Sequence, residues 1–146
     1  MFASTRRFGK CDSALTTPHS VEDLLAAMNR AGIQRALVLS NGYLAESPMM
    51  EPQRPDAANL TRAANDWTVK LARRYPKQFT AFIAVDPIRP TALPEIARWR
   101  GNPAVAGIKL HLTASGVDLR RDNDAVALSL RSQRYSARPP RLGWLS

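Results

Sequence analysis

The chain has 146 residues, 45% apolar and 23% charged, which is single-domain length with globular composition and excludes disorder of the whole. No apolar run nears the ~20 residues that span a bilayer, and residues 1–10 are basic with no apolar stretch behind them to form a signal peptide. The formal charge of +9 collects at the two ends, because residues 20–119 hold twelve basic and nine acidic groups, so a nucleic-acid surface is not expected.

In chain order, residues 1–19 form an irregular segment that holds Cys11 and His19. A lone cysteine makes neither an internal disulfide nor a cysteine metal cluster, and it fits a reducing cytoplasm. Ser20 and Asp23 have the spacing of a capping box, and Val21, Leu24, Leu25 and Met28 give one apolar helical face. Gly32 with Ile33 reads as a Schellman stop. Residues 35–40 are a short apolar strand ended by the turn pair Asn41-Gly42.

Pro48, Pro52 and Pro55 make residues 44–56 a loop. Asp56 can cap a second helix, with Leu60, Ala64, Trp67, Leu71 and Tyr75 on its buried side and Pro76 as its stop. Residues 79–85 are the next strand, followed by Asp86-Pro87. Thr91 can cap a third helix that carries Pro94 in its first turn and buries Ile96 and Trp99. Gly101-Asn102-Pro103 ends it, and residues 106–112 are a third strand.

Alternating helices and continuous apolar strands specify a parallel α/β architecture, either part of a (β/α)8 barrel or a small doubly wound domain. A closed barrel takes about 250 residues, so the barrel reading is that of a fragment. The α/β domain spans residues 20–127, and a basic tail spans 128–146. From Ser129 to Ser146 there are four Arg, two Pro, four Ser and no acid, without a period of 2 or 3.6. Both a disordered basic tail and a shifted reading frame give that composition.

The candidate pocket residues are Lys109, His111 and Asp86. Lys109 and His111 are two apart on a strand and so share a side, near the C-terminal end where parallel barrels place their active sites. A lysine there can bind a carboxylate, and a histidine at the mouth can bind substrate or move a proton. The structural alternatives are a snorkelling lysine and a hydrogen-bonded histidine. Asp86 follows its strand directly and can reach the mouth, or it can open the turn before Pro87. Ser40, Asn41 and Tyr43 follow the earlier strand on the same top face, where a turn role suffices for them. No Gly-x-Gly-x-x-Gly, P-loop, Gly-x-Ser-x-Gly or His-Glu-x-x-His motif occurs, and His19 and His111 are the two histidines, so no metal ligand set can be assembled.

The run from Leu24 to Ser40, then Ala64-Asn65-Asp66-Trp67, Tyr75-Pro76, Phe82-Ile83-Ala84-Val85-Asp86-Pro87, Glu95 and Gly107-Ile108-Lys109-Leu110-His111 resemble successive elements of the amidohydrolase-related family. The branch resembled is the one that includes aminocarboxymuconate-semialdehyde decarboxylase. The likeness covers about residues 20–119 and implies a metal-dependent hydrolase or decarboxylase of small molecules in a TIM barrel. It also implies a divalent metal, usually zinc, held by a His-x-His on the first strand, a His on the fifth and an Asp on the eighth. None of those ligands has a counterpart here, so a truncated family member that binds no metal and is inactive alone is expected. Exposed barrel edges would favour self-association. A non-enzymatic basic α/β binding module is the alternative.

Overall fold

The computed structural model describes residues 20–50, 52 and 54–134. Residues 1–19, with Cys11 and His19, and residues 135–146 of the basic tail lie outside the described residues. The chain divides into two compact units, Met1–Gln34 and Arg35–Ser146.

In the first unit, helix α1 (Val21–Arg30) opens with the expected capping box. Ser20 Oγ accepts from the Asp23 N–H at 3.0 Å, and the Asp23 carboxylate accepts from the Ser20 N–H at 2.9 Å. The helix closes as a Schellman motif. Ile33 N–H donates to the Met28 carbonyl at 2.8 Å and Gly32 N–H to that of Asn29 at 3.1 Å. Gly32 sits at φ 68°, where an L side chain would be strained.

The second unit is built on three parallel strands, β1 (Ala36–Leu39), β2 (Phe79–Ala84) and β3 (Val105–Lys109), in the order β1-β2-β3. The order has no reversal, so it lacks the switch point of a doubly wound sheet and is consistent with part of a TIM barrel. Phe79, Ala81 and Ile83 point to one face and are buried. Leu37 pairs with Thr80 and Leu39 with Phe82 on the other face, where Leu37 is 59% and Leu39 50% exposed.

A register shift lies between β2 and β3. Ala81 faces Val105, but Phe82 faces Gly107, so Ala106 is an extra residue. The shift brings Lys109 opposite Ala84, on the open face with Leu39 and Phe82. Continued pairing from Val105 would have turned it to the buried face, because side chains alternate along a strand. The third strand ends at Lys109, so His111 belongs to the following turn and not to the strand end.

After β1 the chain forms a 3-10 helix, Gly42–Glu46, across the expected turn and the first residues of the expected loop. A Cβ on Gly42 would stand 2.7 Å from the Thr61 carbonyl oxygen, so glycine lets this helix press against α2 (Ala57–Arg74). The buried side of α2 is Thr61, Asn65, Thr68, Val69, Leu71 and Ala72. That corrects the expected stripe, since Trp67 is 52% exposed. The face is set by a polar requirement. Asn65, 0% exposed, donates from Nδ2 to the Ala84 carbonyl at 3.0 Å and accepts at Oδ1 from the Ala84 N–H at 2.9 Å. Turning Trp67 inward would pull that amide off the strand.

Two expected caps go elsewhere. The Asp56 side chain makes no cap bond and receives Arg54 Nε and Nη2, both at 2.9 Å. Thr91, ahead of α3 (Ala92–Arg98), already has helical dihedrals and gives its hydroxyl to Glu46. Ile96 and Trp99 are buried as expected. Helix α4 (Leu119–Arg134) runs beyond residue 128, where an irregular tail was expected to begin. Its buried positions include Val126 and Ser129 while Leu119, Leu128 and Leu130 are exposed, so no apolar period marks it in the sequence. No helix among the described residues is long and apolar enough to cross a membrane.

Replacing Asn65 with Ala removes both bonds to Ala84 and strands buried backbone groups. We expect a loss of about 3 kcal/mol, read from urea unfolding midpoints, against no change for an exposed neighbour such as Trp67→Gln.

Candidate functional site

At the C-terminal end of the sheet, three side chains stack beside the open face. Lys109 Nζ donates to Asn41 Oδ1 at 2.6 Å and lies 4.9 Å from the centre of the Tyr43 ring. Tyr43 is buried and packs with Ala84 and Ala114. The His111 imidazole stacks on the same ring, with centroids 5.5 Å apart and planes 23° from parallel. Burial lowers the Lys109 pKa and raises that of Tyr43.

His111 Nδ1 accepts the Ala114 N–H at 3.1 Å, so the neutral ring carries its proton on Nε2. His111 is exposed, which leaves that edge open to a ligand. Lys109 and His111 are therefore brought together, as the sequence spacing suggested, but through Tyr43 and a turn. Asn41 and Tyr43, assigned a turn role from sequence, are the residues that join them.

Asp86 lies in the turn that follows β2. It is 1% exposed and makes no hydrogen bond to Lys109 or His111 among those described. Its Oδ1 accepts the Ile88 N–H at 3.2 Å, and Arg89 Nε stands 3.5 Å from Oδ2. Burial raises its pKa, and the Glu46 charge adds to this. The Ile88 N–H, the nearby Ser115 hydroxyl and Arg89 act in the opposite direction without cancelling it. Asp86 thus holds the turn that follows β2, two residues beyond the Ala84–Lys109 pair.

Two buried carboxylates, Glu46 and Glu95, also stand near this end of the sheet, and Glu46 carries no motif in the sequence. Glu46 is buried and accepts from Thr61 Oγ1 at 2.8 Å and Thr91 Oγ1 at 2.5 Å, tying the 3-10 helix to α2 and to the start of α3. Ser47 Oγ donates to the Ala114 carbonyl. Glu95, quoted only as part of a resemblance, accepts from Asn65 Nδ2 at 2.9 Å, Trp99 Nε1 at 3.0 Å and Arg98 Nη2 at 2.7 Å. Burial would raise its carboxyl, but the bonds from Arg98, Asn65 and Trp99 outweigh that and hold it below the usual range. The polar spacing Thr61, Asn65, Thr68 within an otherwise amphipathic helix was the available signal for this network.

A pocket of about 310 Å³ opens between α2 and the start of α3, lined by residues that include Glu46, Thr61, Arg62, Thr91 and Glu95. Neither Lys109 nor His111 lines it, and its two carboxylates are already bonded. Among the described residues, no group of three or more His, Cys, Asp or Glu comes together that could hold a metal ion. Among the described residues the zinc implied by the family resemblance finds no set of the three or four protein ligands that structural and catalytic sites use.

Because the folded pKa of Asp86 is raised, the folded state holds its proton more tightly than the unfolded chain does. Its contribution to stability therefore falls as pH rises through that pKa. Asp86→Asn should unfold at a higher temperature than the parent at pH 7, with the gap closing below about pH 4, as read by thermal melts across pH.

Comparison with curated proteins and with solved structures gives no match. Comparison with protein families does. Residues 12–137 match the family described as Amidohydrolase, a span that takes in all three parallel strands and the turn bearing His111. The chain belongs to the amidohydrolase family.

Proposed function

We propose that the chain is a truncated amidohydrolase-family protein. Its sheet supplies one wall of a pocket for a carboxylated small molecule, and the chain performs no metal-dependent hydrolysis alone. The observation that carries this reading is the position of Lys109. Its ammonium group stands at the C-terminal end of a parallel sheet, on the open face, held by Asn41 and Tyr43. Ligands of such sheets bind at that end.

In this reading Lys109 pairs with the ligand carboxylate, Tyr43 forms an aromatic floor and His111 Nε2 donates to a second polar atom. The motif order supports the decarboxylase-containing branch, whose substrates would suit a carboxylate-binding lysine. The lone Cys11 fits a cytoplasmic setting.

Benzoate is a simple probe. Titration into the purified chain, followed by chemical shifts, should perturb His111 with millimolar affinity. Lys109→Met should weaken binding at least tenfold. Equal binding by both proteins would remove the assignment. Zinc titrated under the same conditions should not bind stoichiometrically at micromolar affinity. Tight binding lost in His111→Ala would show that a donor set exists after all.

The open face and strand edges also support self-association. Leu37 and Leu39 are exposed on one face of the same edge strand, β1. Sedimentation should show mass rising with concentration, and a monomer that melts cooperatively at all concentrations would count against it.

A further inference from the structure

The imidazole of His111 is exposed, yet its Nδ1 lone pair closes the turn that follows β3. The Ala114 N–H donates to it at 3.1 Å, with the ring at i and the donor at i+3, as in a side-chain helix cap. Three backbone bonds complete the turn. Ser115 N–H donates to the His111 carbonyl at 3.0 Å, Gly116 N–H to that of Thr113 at 3.0 Å and Val117 N–H to that of Leu112 at 2.9 Å.

Ala114 is where this turn meets the segment after β1. It is 5% exposed, its side chain packs with Tyr43 and Ala84, and its carbonyl accepts from Ser47 Oγ. Gly116 sits at φ 65°, and a Cβ there would stand 3.3 Å from Pro48 Cγ, so the same two segments touch again.

A neutral imidazole has one acceptor nitrogen, and an imidazolium has none, because both nitrogens then carry protons. Protonation of His111 puts a hydrogen on Nδ1, facing the Ala114 N–H, and the two donors repel. A buried donor that loses its partner is unfavourable, so the turn must move. The titratable and charged groups that face the ring do not offset this. Tyr43 of the 3-10 helix stacks on it, and Lys109 of β3 stands 4.9 Å from the centre of that same Tyr43 ring. Neither supplies a negative charge that would hold an imidazolium in place.

We propose that His111 is a pH-operated latch on the mouth. Neutral, it holds the turn against Tyr43 through Ala114; protonated, it lets Ala114 go. The inference rests on reading Lys109, Tyr43 and His111 as one pocket, and it concerns how that pocket is regulated. A carboxylate ligand binds the neutral-ring state and leaves on acidification, the reverse of what added positive charge alone would give.

The measurement uses the His19→Gln chain, in which His111 is the single imidazole. Its ring nitrogens and the Ala114 amide are followed by NMR from about pH 8 to 5. The Ala114 amide shift should move with the same midpoint as the ring. Its exchange protection, corrected for the intrinsic pH dependence, should fall about tenfold. His111→Phe keeps a ring for the stack and removes the acceptor, so Ala114 should be unprotected at every pH. His111→Asn places a non-titrating acceptor at the same spacing, so Ala114 should stay protected throughout. An Ala114 amide that stays flat while the ring titrates overturns the proposal, as does one that titrates unchanged in His111→Phe. Should His111→Phe fail to fold, a titration that persists in His111→Asn overturns it instead. Benzoate affinity should fall together with Ala114 protection as the parent is acidified, and should not change with pH in His111→Asn. Ala114 titrating as expected, in a chain that binds no benzoate at any pH, would leave the latch standing and remove the pocket reading.

Discussion

The side-chain amide of Asn65 joins three elements at one buried point. It satisfies both backbone groups of Ala84 at the end of the central strand and donates to Glu95 on α3. An amide offers a carbonyl acceptor and two donor hydrogens, and here one side is used on the strand and the other on the carboxylate. Glu95 can be buried only because Asn65, Trp99 and Arg98 all donate to it. Arg98 in turn lies 2.5 Å from Asp66 and 4.3 Å from the Trp99 ring. A buried polar network of this kind is specific when complete and costly when one member is missing.

That joint fixes where β2 ends, and the mouth is arranged from there. The three segments that follow the strands are tied to one another by side chains. Glu46 reaches Thr91, Ser47 reaches the Ala114 carbonyl, Lys109 reaches Asn41 and Tyr43 stacks on His111. Each tie links segments far apart in the chain, so the geometry around Lys109 depends on all three strands being in register.

The two faces of the sheet have different fates. One is covered, with Ala81 and Ile83 fully buried. The other exposes Leu37 and Leu39, as the inner face of a barrel wall would when few strands are present. The proposed carboxylate site, at Lys109, belongs to that second face. In the proposed reading, ligand binding and self-association would draw on the same exposed region, which includes Leu37 and Leu39.

The sequence by itself determined the α/β alternation, the capping box at Ser20, the glycine stop at Gly32 and the family motifs, because each depends on neighbours within a few residues. It also marked Lys109 and His111 as a pair. Tertiary structure decided the rest. The apolar stripe of α2 was misread at Trp67 because a polar contact with Ala84, nineteen residues from Asn65, sets the helix rotation. The extra residue Ala106 in β3 turned Lys109 to the open face, and a one-residue shift reverses every side chain beyond it. Asp86 is buried in the turn after β2, where Arg89 Nε of the same turn stands 3.5 Å from its Oδ2. Periodicity reports which residues prefer burial, but only the packed chain decides which buried polar atoms meet.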